Sequence, residues 1–180
     1  MPRMGLDAGR VVEVAAGIAD ADGLEAVTLA RVAADLGVRA PSLYNHVDGR
    51  DALVRGIALR ALGELTDALR RAATGRAGAD ALAAVARAQL AYAREHPGRY
   101  AATVAAPAPG DAEHEAAAEE AVAVLTAALA GLELEGDDRI HAIRALRSAV
   151  HGFAAIEAAG GFALAVDRDA SFAWLLGRLA

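Results

Sequence analysis

The chain has 180 residues, of which 56% are hydrophobic and only 4% aromatic, with a formal net charge of −6. Cysteine is absent, which excludes disulfides, thiolate metal sites and a cysteine nucleophile. No apolar run approaches the roughly 20 residues that span a bilayer, and the opening MPRMGLDAGRVVEVAAG carries charges inside its apolar part, unlike a secretion signal; a cytoplasmic location is expected, with no membrane partner.

Alanine supplies much of the hydrophobic fraction. It is the best helix former and fills little volume, so closely packed helices are expected. All 18 basic residues are arginine, a bias that fits GC-rich coding better than a function. Residues 1–60 hold seven arginines against eight acids, so the N-terminal third is near neutral while the rest is acidic.

Asp7 is placed to cap a helix over 8–22, with Val11, Ala15 and Ile18 on one face and Gly23 as its stop. Thr28 caps the next helix, where Leu29, Val32, Ala33 and Leu36 recur at helical spacing, and Gly37 follows at the left-handed stop. Val38, Arg39 and Ala40 form a turn. Pro41 suits the first turn of a short helix over 41–47, with Leu43 and Val47 pointing inward, and Asp48-Gly49 breaks it. A long helix is predicted over 50–73, with Leu53, Ile57, Leu62, Leu65 and Leu69 along one side. After a loop at 74–78, further helices are predicted over 79–95, 98–105, 111–131, 137–159 and 168–179, with Glu133 to Gly136 as a turn. The last three carry the stripes Ala118, Val122, Leu125, Leu129; Ile140, Ile143, Leu146, Val150, Phe153; and Phe172, Leu175, Leu176, Leu179. The fold class is therefore all-α, with about nine helices and no strand.

Two helices joined by a short glycine-containing turn form the helix-turn-helix pattern. In that geometry the first helix crosses the DNA backbone and the second lies in the major groove. With Leu43 and Val47 turned inward, Arg39, Ala40, Pro41, Ser42, Tyr44, Asn45 and His46 are left at the N-terminal end and outer face. They offer donors, acceptors and small apolar contacts of the kind that read base edges and phosphates.

The element order, and the segment Leu43-Tyr44-Asn45-His46-Val47 followed by Asp48-Gly49 and Arg50, resemble the N-terminal domain of the TetR family of bacterial transcriptional regulators. The resemblance covers about residues 8–55. It implies a three-helix DNA-binding domain over 1–52 and a helical ligand-binding and dimerisation domain over 53–180. By position it implies that Thr28 and its helix N-terminus hold a phosphate, that Tyr44 and His46 hydrogen-bond phosphates, and that Arg50 pairs with one. Arg39, Ala40, Pro41, Ser42 and Asn45 would face base edges. The chain departs from some relatives at Ala30, where they send a basic side chain to a base, with only Arg31 nearby, and at Ala40, which replaces a longer reader. Base reading then rests on few residues and more on DNA shape.

The stretch AVHGFAAIEAAGGF, with His151-Gly152, resembles a subgroup that has a tryptophan-or-alanine, histidine, glycine signature, although the tryptophan is missing here. The resemblance implies that the helices near 137–159 and 168–179 pair with those of a second copy, making a homodimer. For a small-molecule effector of unknown identity, the candidates are polar or aromatic residues set in apolar helices: Tyr92, His96, Tyr100, Arg147, His151 and Phe153, with Phe162 and Trp174 as wall. No cofactor and no metal is expected: Glu113-His114-Glu115 are neighbours on a helix and point apart. No phosphate loop or nucleophile motif asks for an enzyme. The sequence reads as a ligand-responsive homodimeric repressor that binds operator DNA. The alternative is a helical small-molecule-binding or scaffolding protein without DNA binding, which the near-neutral N-terminal third favours.

Overall fold

The caps expected from the sequence are in place at the first two helices. In the computed structural model, which describes residues 6–130, 132 and 134–178, α1 spans Ala8–Asp22 and its N-cap Asp7 accepts from the Arg10 N–H at 2.7 Å. A 3-10 turn at Leu24–Ala26 follows, then α2 at Leu29–Leu36, whose N-cap Thr28 accepts from the Arg31 N–H at 3.1 Å. Gly37 closes α2 at φ +68°, and the N–H groups of Gly37 and Val38 bond the carbonyls of Ala34 and Ala33. This left-handed closure is cheap only for glycine.

The remaining helices are α3 (Ala40–Leu43), α4 (Gly49–Ala73), α5 (Gly78–Glu95), α6 (Pro97–Ala102), α7 (Ala112–Ala128), α8 (Asp138–Ala158) and α9 (Arg168–Leu176), so the described residues form an all-α fold. The predicted turn residue Glu133 and the stripe residue Leu179 lie outside the described residues, as do residues 1–5.

Two compact units divide the chain. The first holds residues up to 62 together with 96–115; the second holds 63–95 and 116 onward. The first is built around Val11, Ala15, Ile18, Val32, Ala33, Leu43, Val47, Leu53 and Ile57, with Ala102 of α6 in the same core. Burying such side chains supplies about 1.5–3 kcal/mol each before entropy is counted. In the second unit α5 packs on α8, and Arg94 bonds Glu157 through two guanidinium nitrogens at 2.7 and 2.9 Å and reaches Asp169 at 2.8 Å. The pair ties α5 to the ends of α8 and α9, and its hydrogen bonds raise the Arg94 pKa.

Three sequence expectations need correction. The helix predicted over 41–47 is α-helical only at Ala40–Leu43. Beyond it the N–H groups of Asn45 and His46 bond three residues back, to Ser42 and Leu43, so the segment tightens into a turn before Gly49. On α7 the buried face is Ala121, Leu125, Ala128 and Leu129, with Ala118 and Val122 only half-buried. An alanine-rich helix has too few bulky side chains to mark its inner face by pattern. On α8 Ile140 is 47% exposed. Ile140 stands in the first turn of α8, three residues after its N-cap Asp137.

Within the first unit Arg55 of α4 bonds both Asp111 oxygens, at 2.5 and 2.6 Å, and Glu113 at 2.8 Å. Asp111 also accepts from the His114 N–H at 3.2 Å. The Arg55 guanidinium beside it holds the Asp111 carboxyl at about 2, below its ordinary 3.8. A depressed carboxyl stabilises fully above its unfolded value and loses that contribution as pH falls to the folded one. Thermal melts across pH 5 to 2 are therefore expected to fall more steeply between about 4 and 2 for the native chain than for Arg55→Gln. Parallel curves would show that the pair contributes nothing.

Candidate nucleic-acid interface

The segment after Gly37 is held from behind and open in front. Arg39 is the extended N-cap of α3, Pro41 sits in its first turn, and the Ser42 hydroxyl donates to the Arg39 carbonyl at 2.8 Å. Leu43 and Val47 are buried in the unit's core and fix the segment's roll. On the other side Tyr44 is 60% exposed, Arg39, Pro41 and Asn45 are exposed, and Ala40, Ser42 and His46 are half-buried. A tyrosine ring left in water costs free energy that a core role would recover. The short helix thus presents one edge carrying a cation, a phenol, an amide and an imidazole.

Electrostatics of the unit explain its near-neutral charge. Arg10 pairs with Glu13 at 2.7 Å, and Arg31 with Asp22 at 2.9 Å and Asp35 at 3.7 Å. Arg55 is held by Asp111 and Glu113. Arg39 is different: its guanidinium has no ion-pair partner among the described residues. Acids therefore balance structural arginines and leave a free cation at the reading edge, which a whole-domain charge count conceals.

Two nominated residues carry structural work. The Thr28 oxygen caps α2, while its hydroxyl hydrogen stays available on an exposed side chain. Arg50 folds back: it donates to the Val27 carbonyl at 3.1 Å and the Leu24 carbonyl at 3.0 Å, and lies 3.4 Å from Glu25. It fastens the start of α4 to the turn before α2. Sequence spacing put Arg50 beside the reading helix but gave no sign of these carbonyl acceptors.

The six effector candidates are distributed over both units. His96 is the N-cap residue of α6, 3.5 Å from Asp20, and Tyr100 is buried in the first unit. In the second, the Tyr92 hydroxyl donates to Glu64 at 3.0 Å. Phe153 packs against Phe162 and Phe172 with ring centroids 4.7 and 4.9 Å away. Arg147 and His151 lie on the exposed side of α8. A groove of about 660 Å³ runs along α7, lined by Ala118, Val122, Thr126 and Ala130 with Glu119 and Arg139; none of the six candidates lines it. Trp174 is also exposed, with the Arg178 guanidinium 4.7 Å above its ring.

Comparison with known proteins bears on this edge. A family model described as "Tetracyclin repressor-like, C-terminal domain" matches residues 82–179. The uncharacterized HTH-type transcriptional regulator Rv0681 of Mycobacterium tuberculosis is 37% identical over 171 residues, covering 94% of this chain and 78% of its own. The HTH-type transcriptional repressor DrrR1 of Streptomyces coeruleorubidus is 39% identical over 102 residues, 53% of this chain and 35% of its own. Among solved structures, the protein SCO4313 superimposes with a TM-score of 0.77 at 27% identity, covering 96% of this chain and 94% of that one.

Proposed function

Because the chain belongs to the TetR family of helix-turn-helix transcriptional regulators, we propose that it acts as a homodimeric repressor that grips double-stranded operator DNA and lets go when a small molecule binds. The observation that carries the DNA half is the α3 edge: Arg39, Tyr44 and Asn45 exposed in front of buried Leu43 and Val47. Arg39 reads a guanine, Asn45 an adenine, and Ala40, Pro41 and Ser42 contact neighbouring base edges. Thr28, Tyr44 and His46 bind phosphates and set the register. Arg50 holds the turn that leads into Thr28 and offers its remaining charge to the DNA backbone. DNA reading belongs to residues 1–52, effector binding and dimerisation to 53–180, and the protein works in the cytoplasm.

The dimer half is supported by where large apolar side chains meet water. Ile156, Phe162, Leu164, Val166 and Trp174 are all exposed at the end of α8, on α9 and on the segment joining them. Large apolar side chains left in water along one stretch of chain favour an interaction surface. A second copy covering them would also present two recognition helices to half-sites about 34–36 Å apart. The double variant Leu164→Asp, Trp174→Arg is expected to elute at the 18.3 kDa monomer mass in light scattering and to lose operator affinity. A variant that remains dimeric would place the interface elsewhere.

Release is a population shift. A ligand that favours the DNA-incompetent spacing by about 1.4 kcal/mol weakens operator binding tenfold. The direct test is DNase footprinting on the DNA flanking the gene over a salt series. Protection of an inverted repeat that fades with salt is expected; no protection on flanking or random-sequence DNA would refute the reading.

A further inference from the structure

The outer face of α7 is left uncovered by the described residues. Ala123, Ala127 and Ala130 are exposed along it at helical spacing. A groove runs down each side of this alanine ridge. One is the groove of about 660 Å³ that reaches Arg139; the other, of about 460 Å³, lies against Ala73 and Thr74 at the end of α4. Alanine side chains are short, so a second helix can approach such a face to about 8 Å between axes. The charges bordering the grooves say which helix fits.

In the second groove the charges are balanced within the protomer: Arg70 holds Glu120 at 2.7 Å, and Arg76 stands 3.4 Å from Asp80. In the first, Glu119 and Arg139 have no ion-pair partner among the described residues. Bordering one groove, they share one flank of the ridge, and they stand at its opposite ends. Glu119 lies eleven residues before Ala130. Arg139 donates to the Leu134 carbonyl at 3.2 Å, in the link that follows α7, which keeps its guanidinium at the C-terminal end. At 1.5 Å per residue, the two charges are roughly 16 Å apart along the groove.

We propose that this face of α7 docks antiparallel on the same face of a second copy. A two-fold axis across the helix, in the plane of contact, keeps each flank against the same flank and exchanges the ends. It sets Glu119 against the partner's Arg139, and Arg139 against the partner's Glu119, so the surface is complementary to itself. A parallel arrangement puts like charges at the same level instead. Exposed ion pairs add little affinity each; here they choose orientation and register. The strip is roughly 18 Å long, too small to bury the roughly 1,000 Å² of a stable interface, so the association is weak. It counts where copies are already held close, which raises their effective concentration to about millimolar. Neither Leu164 nor Trp174 borders either groove, and the contact does not depend on the dimer surface proposed there.

The test is sedimentation equilibrium of the full-length protein without DNA, from micromolar to millimolar. The mass is expected to climb toward twice its micromolar value, and less so with added salt. Glu119→Arg and Arg139→Glu each place like charges together at both ends and should weaken the association about tenfold. Mixed one to one, the two variants should associate as the native chain does, because the arginines of one then meet the carboxylates of the other. All these positions are exposed, so circular dichroism melts should match the native one. A mass that never climbs, a climb that neither variant changes, or a mixture that behaves as the average of its parts would overturn the proposal. The Leu164→Asp, Trp174→Arg variant should repeat the climb from its own lower micromolar mass, so failure of the dimer reading and failure of this contact are told apart.

Discussion

Replacing Tyr44 and His46 together by alanine is expected to abolish operator binding and leave the helical fold intact. Neither side chain belongs to the core cluster that fixes the segment; Leu43 and Val47 do. Tyr44 faces solvent, so truncating it removes little buried area. Each residue is assigned one phosphate hydrogen bond per half-site, which makes four per dimer. At about 1 kcal/mol each the loss is about 4 kcal/mol, roughly a thousandfold in affinity. Circular dichroism should retain the native helical signal and melting temperature within a few degrees, while gel-shift affinity collapses on every sequence alike. Arg39→Ala should behave differently, costing about 1–3 kcal/mol and relaxing preference at one base pair. Unchanged DNA affinity in the double variant would remove the recognition edge from α3.

What the sequence made legible follows from how local each signal is. Asp7, Thr28 and Gly37 act through bonds three to five residues away, and each does in the structure what its chemistry implies. The α4 stripe of Leu53, Ile57, Leu62, Leu65 and Leu69 is buried throughout, because bulky side chains mark a helix face clearly. The α3 edge was readable for the same reason: two inward apolar residues leave the others outside. Signals that depend on distant partners were not readable. Nothing near Arg50 announces the carbonyls of Leu24 and Val27, and nothing near Asp20 announces Arg99. The charge count misled in one respect. Paired arginines and acids cancel in the sum, so the free Arg39 emerged only when each pair was located.

The largest purely structural effect is expected at Gly98, where distant contact replaces local signal altogether. Gly98 sits in the first turn of α6, against the end of α1. A Cβ added there would meet the Ala19 carbonyl carbon and oxygen at 2.0 Å and the Asp20 nitrogen at 2.6 Å. These are backbone atoms, so no side-chain rotation relieves the clash. To reach ordinary carbon contact near 3.5 Å, α6 must retreat by roughly 1.5 Å. That retreat breaks the Arg99 N–H bond to Asp20 at 2.8 Å and the Arg99–Asp20 ion pair at 3.0 Å. It also withdraws Ala102 from the core that holds the recognition segment. Gly98→Ala is therefore expected to cost about 3 kcal/mol, the upper end for overpacking, and to lower the melting temperature by roughly 6–12 °C for a chain of this size. Gly17→Ala in α1 is the matched control: it meets nothing within 4 Å and has no positive φ. There alanine improves the helix and should stabilise by about 0.5–1 kcal/mol. The same substitution at two helical glycines of one unit should thus move the melting temperature in opposite directions. Equal shifts would mean that α6 does not lean on α1 at Gly98, and that Asp20 alone holds the two helices together.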